Sequence, residues 1–266
     1  MENICLIIPN FNQVTYLVNL INWWNYYSHG AKVYVVDNAS TYEPLLHFYD
    51  NHHFTNLEVI RCDVNNCGNN LNLFIQQEIN HQYDYYCISN PDIQPHPNTP
   101  ENFLDVYKHC LDEHGFHKVG FGLIIKELPD FIDNKKLILD RQGHFWNNDA
   151  KFFVKFGGHT YKGYQKPIDL TFAMYSTANG GWYFPQERED WANSLRLFSA
   201  FHLEWYIDKE TNIEEHDYYF THAIQRERPG GKQKGVNSYR PAKYKKDYDK
   251  KGNEILPDTE PTHEEA

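Results

Sequence analysis

Residues 83–97 read Tyr-Asp-Tyr-Tyr-Cys-Ile-Ser-Asn-Pro-Asp-Ile-Gln-Pro-His-Pro. The first seven, 83–89, are aromatic and β-branched enough to form a buried strand. Asn90-Pro91-Asp92 breaks that strand, and Pro91, Pro95 and Pro97 keep the following chain out of a helix. A carboxamide and a carboxylate, two residues apart, therefore stand just past the carboxyl end of a strand. In open α/β sheets this is the edge where ligands bind. Oxygen donors on a stiff turn suit a hard divalent cation that keeps coordination sites for phosphate oxygens. The plainer reading is a Pro-Asp turn whose Asp bonds to its own backbone.

The segments before this corner repeat one pattern. Residues 4–8 form a short apolar strand ended by Pro9-Asn10-Phe11-Asn12. Leu17, Leu20, Ile21, Trp24 and Tyr27 then recur at helical spacing up to Gly30. Residues 32–36 make a second strand ending at Asp37, and Ser40 with Glu43 has capping-box spacing for the next helix. Residues 57–62 form a third strand, followed by Asp63 and Asn66 and a helix carrying Leu71, Phe74, Ile75 and Ile79. After the corner, Thr99 and Pro100 are placed to open a helix over Phe103, Leu104, Tyr107 and Leu111. A fifth strand spans 119–125. Such alternation predicts an α/β fold, a mostly parallel central sheet with helices on both faces.

Farther along, 130–164 has no clean period and reads as an irregular or partly helical flap. Residues 168–175 return to strand-like alternation, 187–195 is a candidate helix, and 197–207 is rich in aromatics. Residues 1–225 are expected to form one domain. From 226 to 251, ten Lys and Arg face three acidic residues, and 252–266 is acidic; together they read as a basic then acidic tail, partly disordered. The basic run could touch an anionic membrane surface weakly, although a solvated tail accounts for it as well.

The whole chain of 266 residues has 25 Lys and Arg against 36 Asp and Glu, a balance that disfavours nucleic acid as a partner. Its five cysteines, without a Cys-x-x-Cys pair, read as reduced thiols of a cytosolic protein. No apolar run approaches a bilayer span. The first strand's turn lacks the glycines of a dinucleotide-binding loop, and no Gly-Lys-Ser/Thr occurs, so a diphosphate would need another cradle. A metal is the remaining route.

Ile-Ile-Pro-Asn-Phe-Asn at 7–12, Val-Val-Asp-Asn-Ala-Ser at 35–40 and Asn-Pro-Asp at 90–92 together resemble the inverting family-two glycosyltransferases of GT-A (Rossmann-like) fold. Residues 168–175 and His202-Leu203-Glu204-Trp205-Tyr206 are similar to the pattern IDTTFALY … RHLPWY of a bacterial surface-glycan subgroup. The resemblance implies a nucleoside site lined by Pro9, Asn10 and Asn12, with Asp37 accepting from the base and Asp63 and Asn66 at its border. It implies a Mn²⁺ or Mg²⁺ ion on Asp92, with Asn90 where the family usually has a charged Asp, and His202 as a further metal or diphosphate contact. Arg196 would meet phosphate oxygens. The donor would be a UDP- or dTDP-linked sugar and the acceptor a glycan or lipid-linked glycan, with the enzyme in the cytoplasm or peripheral at the inner membrane face.

Inversion requires a carboxylate to deprotonate the acceptor hydroxyl. Asp169 is the candidate, and Glu189-Asp190 the rival, the latter read more simply as a solvated helix face. Trp146, Tyr161, Tyr164 and Trp182 are candidate sugar-stacking rings, although core packing is the usual use of an aromatic. Asn90 also admits a weakened or non-catalytic relative that binds nucleotide or glycan. A nucleotidyltransferase is the remaining alternative, disfavoured by the glycine-free first turn.

Overall fold

The structure is a computed structural model. It describes residues 3–132, 135–143, 151–168, 172–179, 193–207 and 214–222, together with two short paired strands, Asp247–Tyr248 and Glu254–Ile255. Strands and helices alternate from the start: β1 (Ile4–Asn10), α1 (Thr15–Ser28), β2 (Lys32–Asp37), α2 (Glu43–Asn51), β3 (Leu57–Arg61), α3 (Cys67–Gln77) and β4 (Tyr85–Ser89). There follow β5 (Ile93–Pro95), α4 (Phe103–Glu113), β6 (Lys118–Leu123), α5 (Lys135–Gln142), β7 (Lys151–Phe156) and β8 (His159–Gln165). β9 (Phe172–Ser176), β10 (Ser194–His202) and the last described helix, here α6 (Glu214–His222), come after them.

The sheet order is β3-β2-β1-β4-β9-β6-β10-β8-β7, with β5 paired to β10. β1 to β4 are parallel neighbours. β6 and β10 are parallel to each other, and β9 runs antiparallel to both β4 and β6, so β6 and β10 share the direction of the first four. The chain steps outward from β1 to β3 and then returns to the other side of β1 as β4. That reversal opens the crevice where α/β sheets place ligands, outside the carboxyl ends of the strands. Asn10, Asp37 and Asn90 all stand at or just past those ends.

β1 shows why the sheet is buried on both faces. Ile4, Leu6 and Ile8 pack with Leu17, Leu20, Ile21 and Trp24 of α1 and with Phe103 and Tyr107 of α4. The alternate residues Cys5 and Ile7 pack with Leu71, Phe74 and Ile75 of α3 on the opposite face. Each such side chain, fully withdrawn from water, contributes about 1.5–3 kcal/mol before entropy is counted. The expected α/β class, with helices covering both faces, is the one observed.

Four local expectations change. The flap at 130–164 contains α5 and a β7–β8 hairpin; Gly157 and Gly158, at φ 58° and 80°, supply the left-handed pair that a tight hairpin turn needs. Ser194 and Leu195 are strand rather than helix, and residues 187–192 lie outside the described residues. Ser40 turns its hydroxyl to Asp37 instead of capping α2. Thr99 bonds through its N–H and Oγ1 to the His96 carbonyl, so α4 begins later, at Phe103. In both cases a local bond outcompeted the cap: to the Asp37 carboxylate for Ser40, and to the His96 carbonyl for Thr99.

β6 and β9 approach so closely that a Cβ on Gly120 would lie 2.2 Å from the Phe172 carbonyl oxygen and 2.9 Å from Ala173 Cα. Both obstacles are backbone in the middle of the sheet. Gly120→Ala should therefore cost about 2–3 kcal/mol in urea denaturation, as overpacking does. A loss below ~0.5 kcal/mol, the scale of an inconsequential substitution, would mean that the two strands part freely.

Candidate active site

The corner after β4 is held by the end of β10. Ile93 pairs with His202, Gln94 with Phe201 and Pro95 with Ala200, and the Leu203 N–H donates to the Asp92 carbonyl at 2.8 Å. This register sets Asp92 beside His202: Oδ2 lies 2.9 Å from Nδ1, with Asp92 only 4% exposed. Glu204 enters the same group, and one ligand atom from each of Asp92, His202 and Glu204 lies within 4.8 Å of the others. The His202 ring is stacked on Trp205, centroids 4.7 Å apart and planes 2° from parallel, which fixes its rotamer. Gln13 Nε2 donates to Glu204 Oε1 at 2.8 Å, tying the group to the loop after β1. The Tyr16 hydroxyl senses these charges: burial first, then Glu204, Asp92 and Glu215, push its pKa upward.

A second set of residues locks the loops after β1 and β2. The Asp37 carboxylate accepts from the Ser40 N–H, the Ser40 hydroxyl and the Tyr49 hydroxyl. Tyr49 in turn accepts from Asn10 Nδ2. Asn12, left-handed at φ 53°, accepts from the Thr41 and Tyr42 N–H groups through Oδ1, and its own N–H donates to Ser40 Oγ. Asn10, Asn12 and Asp37 are all at most 2% exposed. Among the described residues, no hydrogen-bond partner reaches Asn10 Oδ1 or Asn12 Nδ2.

α6 covers this edge. Glu215 accepts the N–H groups of Val14 and Thr15 at the start of α1, and Tyr218 shares a hydrogen bond with the Thr41 hydroxyl. His216 lies against Tyr16 and Tyr219 against Phe11. A carboxylate is a good partner for the free N–H groups and positive dipole of a helix N-terminus.

The expected site residues divide. Pro9, Asn10, Asn12 and Asp37 gather at the ends of β1 and β2, and Asp63 is exposed past β3, near enough to act with Asp37 on the Cys62 thiol. Asn66 stands at the start of α3, half-buried. Asp92 and His202 meet, with Asn90 half-buried at the corner. Arg196 is not part of this group. It pairs with Gly120 and Tyr164 in mid-sheet, and six residues of extended strand put it roughly 20 Å from His202. Burial lowers its pKa to about 10, which leaves it charged at neutral pH.

Asp169, Glu189, Asp190, Trp146 and Trp182 lie outside the described residues. Tyr161 packs edge-on against Phe198 and the core, in keeping with its plainer reading. Glu204 was not singled out from sequence. Its signal was a lone carboxylate inside the aromatic run 201–206.

A cavity of about 340 Å³ lies along β10 from the acidic group, lined by His96, Thr99, Glu127, Phe198 and Ser199 among others. Burial first, and then the charge of Glu127, push the Tyr206 hydroxyl up to about 12.

The sequence matches no family model and no curated protein. Among solved structures the chain is similar to S. aureus TarS 1–349, at 17% identity and TM-score 0.46, over 82% of this chain and 62% of that one. A structure of TarS 1–349 in complex with UDP-GlcNAc gives 14% identity and TM-score 0.46, over 83% and 65%. Glucosyl-3-phosphoglycerate synthase from Mycobacterium tuberculosis, in complex with Mn²⁺, UDP and glucosyl-3-phosphoglycerate, gives 11% identity and TM-score 0.38, over 66% and 57%. This chain spans less than two thirds of each of these.

Asn12 carries two backbone N–H groups from a left-handed position. Asn12→Ala removes the Oδ1 that accepts both bonds and retains an unfavourable φ, so it should cost about 2–3 kcal/mol by urea denaturation. Asn12→Gly should cost less than Asn12→Ala. The reverse order would show that backbone conformation plays no part.

Proposed function

We propose that this chain is a cation-assisted glycosyltransferase of GT-A type that moves a sugar from a nucleotide donor, UDP- or dTDP-linked, to a hydroxyl-bearing glycan acceptor with inversion. The observation that carries the reading is the meeting of Asp92, His202 and Glu204 at the carboxyl edge of the sheet, beside the reversal between β1 and β4. The three motifs at 7–12, 35–40 and 90–92, which resemble that family, lead to the same edge.

The donor set fits the implied ion. Two carboxylates and one imidazole, with Asp92 buried, suit Mn²⁺ or Mg²⁺ that completes its sphere with water or phosphate oxygens. Asp92, His202 and Glu204 would hold it. Bound there, the ion supplies positive charge against the diphosphate as it leaves.

The remaining work falls to the chain itself. Among the described residues, Asn10 Oδ1 and Asn12 Nδ2 are a buried acceptor and a buried donor without partners, behind the edge proposed for the nucleoside. Buried polar atoms left without partners cost about 1–3 kcal/mol each, a cost that the amide-like rim of a pyrimidine would offset. Asp37 orders the loop that carries them. Asp169 is assigned as the general base: it stands three residues before Phe172, which pairs with Ser89 at the corner end of β4. An inverting base must reach the acceptor hydroxyl on the face opposite the leaving group.

Calorimetric titration of UDP should show binding that strengthens at least about tenfold when Mn²⁺ is present, ~1.4 kcal/mol. Asp92→Asn should erase the Mn²⁺ dependence. Asp169→Asn should abolish transfer while keeping UDP affinity. Absence of UDP binding in both conditions would contradict the proposal, and transfer surviving in Asp169→Asn would move the base elsewhere.

A further inference from the structure

The corner after β4 offers a single negative charge, because Asn90 is neutral and only Asp92 is a carboxylate. A divalent cation with one charged ligand and an imidazole is poorly neutralised, and oxygen-rich cation sites depend on ligand charge for their affinity. Glu204 stands where the second charge is needed. It leaves β10 two residues past His202, in the 3-10 turn Leu203–Tyr206, and its carboxylate lies within 4.8 Å of the Asp92 and His202 ligand atoms. Its geometry is set from outside the cluster: Gln13, 3% exposed, donates to Oε1 at 2.8 Å.

We infer that Glu204 supplies the charge that Asn90 does not, so that the cation site is completed from the exit of β10 rather than by the corner alone, with Gln13 as the positioning residue that aims it. The inference rests on the proposed cation-assisted reading and adds where the charge comes from. Asn90 is two residues from Asp92, within about 7 Å along the backbone. A carboxylate placed there should be able to take over from Glu204.

The test measures Mn²⁺ binding to the whole chain by calorimetry, with free Mn²⁺ followed by its electron paramagnetic resonance signal. Wild type, Glu204→Gln, Asn90→Asp and the double variant are compared, each with its melting curve. Glu204→Gln keeps the shape and the bond to Gln13 and should weaken Mn²⁺ about tenfold or more. Asn90→Asp alone should tighten binding, and the double variant should recover most of what Glu204→Gln loses. Gln13→Leu should weaken Mn²⁺ several-fold, to about a tenth at most, with its melting temperature near wild type. Equal affinity in wild type and Glu204→Gln would overturn the inference while leaving a cation site on Asp92 and His202. A double variant no tighter than Glu204→Gln would overturn it too, and absence of Mn²⁺ binding in wild type would remove both this inference and the reading beneath it.

Discussion

Three residues, Ile93–Pro95, decide where the chemistry of this protein can be. Their antiparallel pairing with the end of β10 is short, yet it fixes the register that sets His202 opposite Ile93. It thereby delivers an imidazole to a carboxylate from a distant part of the chain. The Leu203 N–H extends the ladder to the Asp92 carbonyl, so the corner and the turn after β10 are one piece of backbone hydrogen bonding. A slip of one residue would turn every side chain of β5 to the other face. Asp92, His202 and Glu204 depend on that register, and so does any function built on them.

The other side of the crevice is organised by a different principle. Asn10, Asn12, Asp37, Ser40 and Tyr49 bond to one another in a chain of side-chain and backbone bonds that joins the loops after β1 and β2, with Asn10 Oδ1 and Asn12 Nδ2 left unmatched among the described residues. Glu215 of α6 then ties this region to the start of α1, and Gln13 ties it to Glu204. The loops after β1 and β2 and the acidic group are therefore mechanically linked through residues 13–15 at the start of α1. Buried networks of this kind give a unique conformation when complete and are costly when not.

The first hundred residues could be read in advance because their signals are local. Apolar runs of five to seven residues, each followed by a helical repeat, leave little choice but an α/β sheet, and the strand ends that carry Asn10, Asp37 and Asn90 followed from those runs. β5 could not be read this way: Ile93–Pro95 between prolines has no strand character of its own and becomes a strand only because β10 pairs with it. The β7–β8 hairpin was hidden by aromatics on both faces, and Gly157-Gly158 was its one legible mark. Arg196 was misplaced for a geometric reason, since six residues of strand are too long a reach to His202. Glu204 gave only a weak mark in sequence, because its place is set by contacts with Asp92, distant in the chain, and with Gln13, 191 residues away.

The function proposed for this chain turns on a divalent cation held by Asp92, His202 and Glu204. Crystals grown with Mn²⁺ and UDP, measured at the manganese absorption edge, test this directly. One anomalous peak is expected about 2.0–2.3 Å from a donor atom of each of the three residues, with diphosphate oxygens on its open side. A peak bound elsewhere, or UDP seated at the ends of β1 and β2 with Asp92 still paired only to His202, would contradict it.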